Sequence, residues 1–371
     1  MLVAYVSGHG FGHGTRTAEV LRALRERDPS LPLAVVTSAP EALFRAAVPG
    51  PFAFRHRECD VGLVQRDALV IDEAETARRF ERFRAGWDDA VAEESAFLRD
   101  ARAQVVLGDI PPLAFAAAAA AGVRGVGLAN FSWDWIYRHA SRRAPALADA
   151  AEHCAAAYRK ASLLLRLPFS GDLSSFPRIE DVPLVARRPR VAKAEARRRL
   201  RLDQRPAVLL SFGGIGLPGF RPPVLAPMGE FQFLVSDRGE GLPENVRVVS
   251  GERLRVLGLG YEDVVGAADV VVSKPGYGIV TDAIGARTRL VYTDRGDFPE
   301  YPILVEEMKR HLPSAYVTND ELREGRFAHA LREVLDMPFP PLPDLSGALR
   351  VAERLRIVMQ VREGPGQRRD E

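Results

Sequence analysis

The chain has 371 residues, 47% of them apolar, with 51 Lys and Arg against 49 Asp and Glu for a net charge of +2. That length exceeds one ordinary hydrophobic core and predicts two domains, while the near-zero balance excludes a broad field for nucleic acid or an anionic membrane. Only Cys59 and Cys154 occur, too few for a disulfide framework, so a reducing compartment is expected.

The N-terminus enters an apolar strand, Leu2–Ser7, with no basic segment or cleavage pattern, so no signal peptide is expected. The longest apolar run, Leu113–Ala121, is too short to span a bilayer. The expectation is a cytoplasmic protein without a transmembrane segment, peripheral membrane contact being left open. Nothing in the sequence speaks to oligomeric state.

The first strand ends in Gly8-His9-Gly10-Phe11-Gly12-His13-Gly14-Thr15-Arg16, where glycines permit tight turning and close backbone approach to a ligand. The dinucleotide fingerprint needs glycine at its sixth position, but counting from Gly8 or Gly10 finds His13 or Thr15. An NAD site is disfavoured, and without a Gly-Lys pair a P-loop is excluded. His13, where the loop enters the helix, is a candidate general base near neutral pH. His9 is its competitor, and both could instead only hydrogen-bond the loop. Arg16, in the first helical turn, opposes the macrodipole; that suggests an anion partner or an exposed side chain.

Ala18, Leu21 and Leu24 continue a helix, Leu33–Thr37 is a second strand, and a second helix follows from Pro40. Asp72–Arg102 reads as one helix with Phe80, Phe83, Trp87 and Val91 on one face. Strands Val105–Gly108, Val123–Leu128 and Leu163–Leu167 complete the first half. Asp109, directly after a strand, either orients a histidine or caps the helix starting near Pro111. In Asn130–Tyr137, Phe131, Trp133, Trp135 and Tyr137 alternate, which in a strand puts them on one face. Asn130 and Asp134 would then be polar contacts, and the aromatics either stack on an acceptor or fill core.

Near Val185 the composition turns to Arg, Pro and Lys. Residues 1–185 are the first domain and 186–343 the second, with Arg187, Arg188, Arg190, Arg197, Arg198, Arg199 and Arg201 read as a solvated hinge and helix face. A helix, Lys193–Leu202, opens the second domain. Strands then follow at Ala207–Ser211, Phe231–Ser236, Val246–Val249, Val270–Ser273 and Leu290–Thr293. Residues 344–361 form a final amphipathic helix and 362–371 a flexible tail. Strand–helix alternation in both halves predicts an α/β protein of two facing, Rossmann-like, doubly wound parallel sheets, with ligands beyond the carboxyl ends of the strands.

In the second half, Ser273-Lys274-Pro275-Gly276-Tyr277-Gly278 follows a buried strand and precedes a helix from Ile279, a natural diphosphate site. Asp282, one turn on, either accepts from ribose hydroxyls or compensates the helix dipole. Ser211, Gly213 and Gly214 either approach the phosphates or form a plain turn. Tyr261 borders a base; Asp297, Glu300 and Tyr301 are candidates for sugar hydroxyls. No D-x-D or H-E-x-x-H occurs, so no metal is expected.

Tyr5–Arg16, YVSGHGFGHGTR, closely resembles the start of the glycosyltransferase-like N-terminal domain of plant L-arabinokinases and bacterial relatives. Asn130–Tyr137, NFSWDWIY, and Pro183–Arg188 leading to Ser211–Gly214 are similar to that domain, and the likeness covers roughly residues 2 to 335. No GHMP-type ATP motif is present. More distantly the layout resembles GT-B glycosyltransferases. In those families a Gly-His pair matches Gly12-His13, the aspartate partnering the base matches Asp109, and the phosphate–ribose element matches Gly276, Gly278, Asp282 and Ala283. Asp282 stands where glutamate is usual, which shortens its reach. The resemblance implies inverting transfer from a UDP-sugar donor to a hydroxyl-bearing small-molecule or lipid acceptor, with no cofactor and no metal. It places His13 as base and the last helix crossing back onto the first domain; His9, Phe131, Trp133 and Asp134 are expected on the acceptor side from the residues themselves. The alternatives are a non-catalytic nucleotide-sugar module and a sugar epimerase of the same fold.

Overall fold

The computed structural model describes residues 1–65, 71–213, 219–236 and 241–360. Its first sheet is built from β1 (Leu2–Val6), β2 (Leu33–Thr37), β3 (Ala53–His56), β4 (Val105–Asp109), β5 (Arg124–Ala129), β6 (Leu163–Arg166) and β7 (Ile179–Asp181). The spatial order is β3-β2-β1-β4-β5-β6-β7, all parallel. The second sheet contains β8 (Ala207–Leu210), β9 (Gln232–Val235), β10 (Val246–Val248), β11 (Val270–Ser273), β12 (Arg289–Tyr292) and β13 (Ser314–Tyr316). Its order is β10-β9-β8-β11-β12-β13, again parallel.

The chain reverses its winding beside β1 in one sheet and beside β8 in the other. At such a switch point the loops on either side diverge and leave room for a ligand. The central strands read as continuous apolar runs because helices cover both faces. β3, β7 and β13 lie at sheet edges, are short and only partly buried, and so carry no apolar signature.

The single helix expected over Asp72–Arg102 is two, Glu73–Ala85 and Trp87–Asp100, divided at Gly86. Asn130–Tyr137 is not a strand. Ser132 is an extended N-cap, and Trp133–Ala140 is a helix. β5 already ends at Ala129, so the chain turns back over the sheet there; Ser132 followed by Asp134 in the first turn is the helix-start signal. In a helix Trp133 and Tyr137 share a face and stack, ring centroids 5.9 Å apart, while Trp135 faces elsewhere, against Gly171.

The last helix, Gly347–Gln360, returns to the first sheet. Val351, Ala352 and Leu355 are buried in the same apolar cluster as Leu21 and Leu24 of the helix Phe11–Arg27. Glu353 pairs with Arg27 at 2.8 Å, and Arg124 Nη1 donates to the Val358 carbonyl at 2.7 Å. The expected tail, 362–371, lies outside the described residues. Among those described, no helix is long and apolar enough to cross a membrane.

Candidate active site

Gly10 takes φ +75°, where L side chains are strained, and caps the helix Phe11–Arg27. The helix therefore starts inside the glycine loop. His13 is its third residue, and Arg16 lies a turn deeper than expected. Arg16 is 4% exposed, and its anion is a carboxylate of this chain. Strand β4 runs beside β1 with Val6 opposite Asp109, which brings the carboxylate under this helix. Asp109 does not cap the helix that follows it: Pro111 is the N-cap of the helix Pro112–Ala121.

His13 Nδ1 lies 2.8 Å from Asp109 Oδ1. Arg16 Nε and Thr17 Oγ1 donate to Oδ2 at 2.8 and 2.7 Å, and Arg16 Nη2 donates to Oδ1 at 2.5 Å. Burial alone would raise the Asp109 carboxyl, but the charges and hydrogen bonds of Arg16 and His13 prevail and bring it down to about 2. Arg16 Nη2 also lies 3.1 Å from His13 Nδ1. Nδ1 cannot both give a proton to Asp109 and accept one from arginine; the shorter approach, to a group that only accepts, assigns the Nδ1–H tautomer. The lone pair then sits on Nε2, which has no hydrogen bond among the described residues. Phe131 and Trp133 flank the imidazole at 5.4 and 6.4 Å between centroids, and His13 is 7% exposed.

On the second sheet, β11 leads through Ser273, Lys274 and Pro275 to Gly276, the N-cap of the helix Tyr277–Ala286, which begins two residues before Ile279. No side chain of the described residues caps this end, so its first N–H groups and the dipole favour an anion. Ser273 Oγ donates to the Ser211 carbonyl at 2.5 Å, and Tyr261 OH donates to Ser211 Oγ at 2.6 Å. Gly213 has φ +71°; Gly214 lies outside the described residues. Tyr277 is 6% exposed, and its hydroxyl has no partner among the described residues. Asp282 receives a fork from Arg187, Nε at 3.2 Å and Nη2 to the other oxygen. Arg187 is thus no solvated hinge residue, and Glu262 stands 3.5 Å from it.

The two helix ends meet. A Cβ placed on Gly278 would be 3.2 Å from the Gly12 Cα. The Arg16 guanidinium lies over the Tyr277 ring, 5.2 Å from its centroid.

No family model matches the chain. It is 30% identical to the L-arabinokinase of Arabidopsis thaliana over 346 residues, 90% of this chain and 32% of that protein, so it spans about a third of the relative's length. Among solved structures, the UDP-glucosyltransferase of Polygonum tinctorium, in complex with 3,4-dichloroaniline, superposes with a TM-score of 0.58 at 16% identity, covering 97% of this chain and 93% of that one. The glycosyltransferase SnogD of Streptomyces nogalater gives 0.55 at 17% identity, covering 97% and 94%. The chain shares the GT-B fold of these glycosyltransferases.

In this GT-B frame the sequence-predicted residues divide. His13, Asp109, Arg16, Gly12, Phe131 and Trp133 gather on the first-sheet side, and Gly276, Tyr277 and Gly278 oppose them. Glu300 is buried and reaches the same group through Asn130, whose Nδ2 donates to it at 2.6 Å. Asp134 does not join: its oxygens accept from Ser132 and, at 2.6 Å, from Ser175. Asp297 is taken by His139 and Arg143, at 3.0 and 2.7 Å. Tyr301 is partly exposed, and burial raises its hydroxyl's pKa. Lys274 is half-buried beside the Tyr277 helix.

Sequence reasoning missed Asp60. It accepts from Trp133 Nε1 at 2.8 Å and lies 3.7 Å from His9 Nε2, in a stretch with no regular structure and no motif. Thr17 and Arg295 were missed as well. A threonine inside a helix and an arginine after a strand carry no distinguishing pattern.

Proposed function

We propose that the chain is an inverting, metal-independent glycosyltransferase that moves a sugar from a UDP-sugar to an acceptor hydroxyl, with His13 as general base. One observation carries this reading: a carboxylate-held imidazole whose Nε2 is unengaged among the described residues, beside a helix N-terminus of the other sheet that none of those residues' side chains caps. In this reading residues 186–343 hold the donor. The diphosphate lies on the N–H groups at Gly276, Tyr277 and Gly278, where the helix dipole offsets its charge. Ser211 and Gly213 approach from the neighbouring strand end, Tyr261 borders the base, and Asp282 accepts from the ribose. The acceptor enters over residues 1–185, against Phe131 and Trp133. His13 Nε2 takes the hydroxyl proton as oxygen attacks the anomeric carbon. The bond to UDP breaks on the opposite face, and configuration inverts. Asp109 stabilises the imidazolium without taking the proton. No cofactor beyond the donor enters the scheme. A reducing cytoplasm suits Cys59 and Cys154, both buried and free.

The test is a UDP-release screen over donors and acceptors, comparing wild type with His13→Ala. Turnover by wild type and its loss in the variant is the expected result; equal turnover removes His13 as base. Bound UDP-sugar that stays intact with every acceptor would point instead to a non-catalytic module.

A further inference from the structure

The loop after β12 crosses to the first sheet at several points. Phe298 packs on Phe131 with ring centroids 6.1 Å apart, and the Arg295 guanidinium lies over Phe298 at 4.3 Å. Asp297 pairs with His139 and Arg143. At its centre a buried polar chain runs without a break. Arg16 Nη1 donates to Asn130 Oδ1 at 2.7 Å; Asn130 Nδ2 donates to Glu300 Oε1 at 2.6 Å. Glu300 Oε2 accepts from Arg295 Nη1 at 2.8 Å, and the same nitrogen donates to the Pro275 carbonyl, just before the Tyr277 helix, at 3.1 Å.

Two features give this chain a direction. Arg16 is the group that grips both oxygens of Asp109, which in turn holds His13. Asn130 is the only side chain in the chain of contacts that is both donor and acceptor, so its amide can join a cation on one sheet's side to an anion on the other's. Separating the sheets breaks the Asn130–Glu300 bond, and removing either side chain while the sheets stay closed leaves the other buried without its partner, which costs more than the bond itself contributes. Glu300, moreover, has a protein donor on each oxygen already.

We propose that Asn130 and Glu300 are positioning residues: they latch the two domains together and, through Arg16, set the His13–Asp109 pair in its working geometry only when the domains are closed. This rests on the transferase reading for its kinetic consequence but not for the latch itself.

Two arms test it on the full chain. The first is a double-mutant cycle in thermal unfolding with Asn130→Ala and Glu300→Gln. Each single variant is expected to lower the midpoint by about 2–4 °C or more, and the double variant by no more than the worse single; additive losses overturn the latch. The second is turnover with a donor–acceptor pair found by UDP release. Asn130→Ala is expected to lower kcat by about tenfold or more while donor KM changes by less than about twofold. Asn130→Asp keeps an acceptor for Arg16 but sets a carboxylate against Glu300. It is expected to behave like Asn130→Ala; wild-type kcat in Asn130→Asp, or a rise in donor KM with kcat unchanged, overturns the positioning role. If no donor is turned over by wild type, the transferase reading falls, and the unfolding cycle still decides the latch.

Discussion

Gly12 and Gly278, one from each sheet's switch point, pack backbone to backbone. An added Cβ on Gly278 would sit 3.2 Å from the Gly12 Cα, whereas one on Gly276 would find, among the described residues, nothing nearer than Arg295 Nη1 at 3.9 Å. Gly276 has φ −140°, open to any residue. Gly278 is therefore glycine because another backbone approaches it, and Gly276 is not so constrained. We expect Gly278→Ala to lower stability by about 1 kcal/mol, overpacking outweighing the helix propensity gained. Gly276→Ala should be near neutral. Thermal unfolding of both variants decides it; equal midpoints would mean the contact yields freely.

Asp109 yields a pH prediction. Its carboxyl titrates at about 2 in the fold, against about 3.9 in an unfolded chain. A depressed native value stabilises the fold above the unfolded value, and that stabilisation disappears as pH falls through the native one. The shift of about two units is worth about 2.5 kcal/mol, lost between about pH 4 and pH 2. Asp109→Asn lacks it and strands a buried Arg16 without its anion, costing about 3–5 kcal/mol at neutral pH. Urea unfolding across pH should show the gap between wild type and variant narrowing below about pH 4. Parallel curves would contradict the assignment.

Asp282 and Arg187 can be separated from nucleotide binding by pairing their substitutions. Asp282→Ala alone leaves a largely buried guanidinium short of its fork and should cost about 3 kcal/mol. Adding Arg187→Met removes the stranded charge and should restore most of the stability. UDP affinity, measured by calorimetry, should stay weakened in the double variant if Asp282 accepts from the ribose. Affinity that recovers along with stability would make the pair purely structural.

The returning helix supplies a packing test. Leu355 is fully buried against the first helix's cluster, so Leu355→Ala should cost about 2–5 kcal/mol. Leu349, on the same helix and 42% exposed, should tolerate alanine within about 0.5 kcal/mol. Equal effects at the two positions would mean the helix does not pack in this orientation.

Much of this architecture is legible one residue at a time. β1 and β11 read as strands because helices cover both faces of a parallel sheet, and a glycine turn follows each. That rhythm, repeated on either side of the Arg- and Pro-rich stretch, is enough to infer two such sheets. The edge strands β3, β7 and β13 escaped because an edge need not be buried, and Trp133–Ala140 was misread because alternating aromatics look the same in a short strand and in one helical turn plus a loop.

What the residues could not reveal is who answers whom. A histidine in a glycine loop and an aspartate at a strand end are visible in the sequence; their 2.8 Å contact depends on β4 lying beside β1, a choice of strand order. Arg187 sits in a basic run that looks solvated, but a carboxylate 95 positions away makes its burial affordable. Asn130 and Glu300 are 170 positions apart, and neither has a local reason to be buried. Propensity and periodicity act within a few turns of chain. Burying charge requires a partner in three dimensions, and only the packing of one sheet's switch point against the other's brings that partner into place.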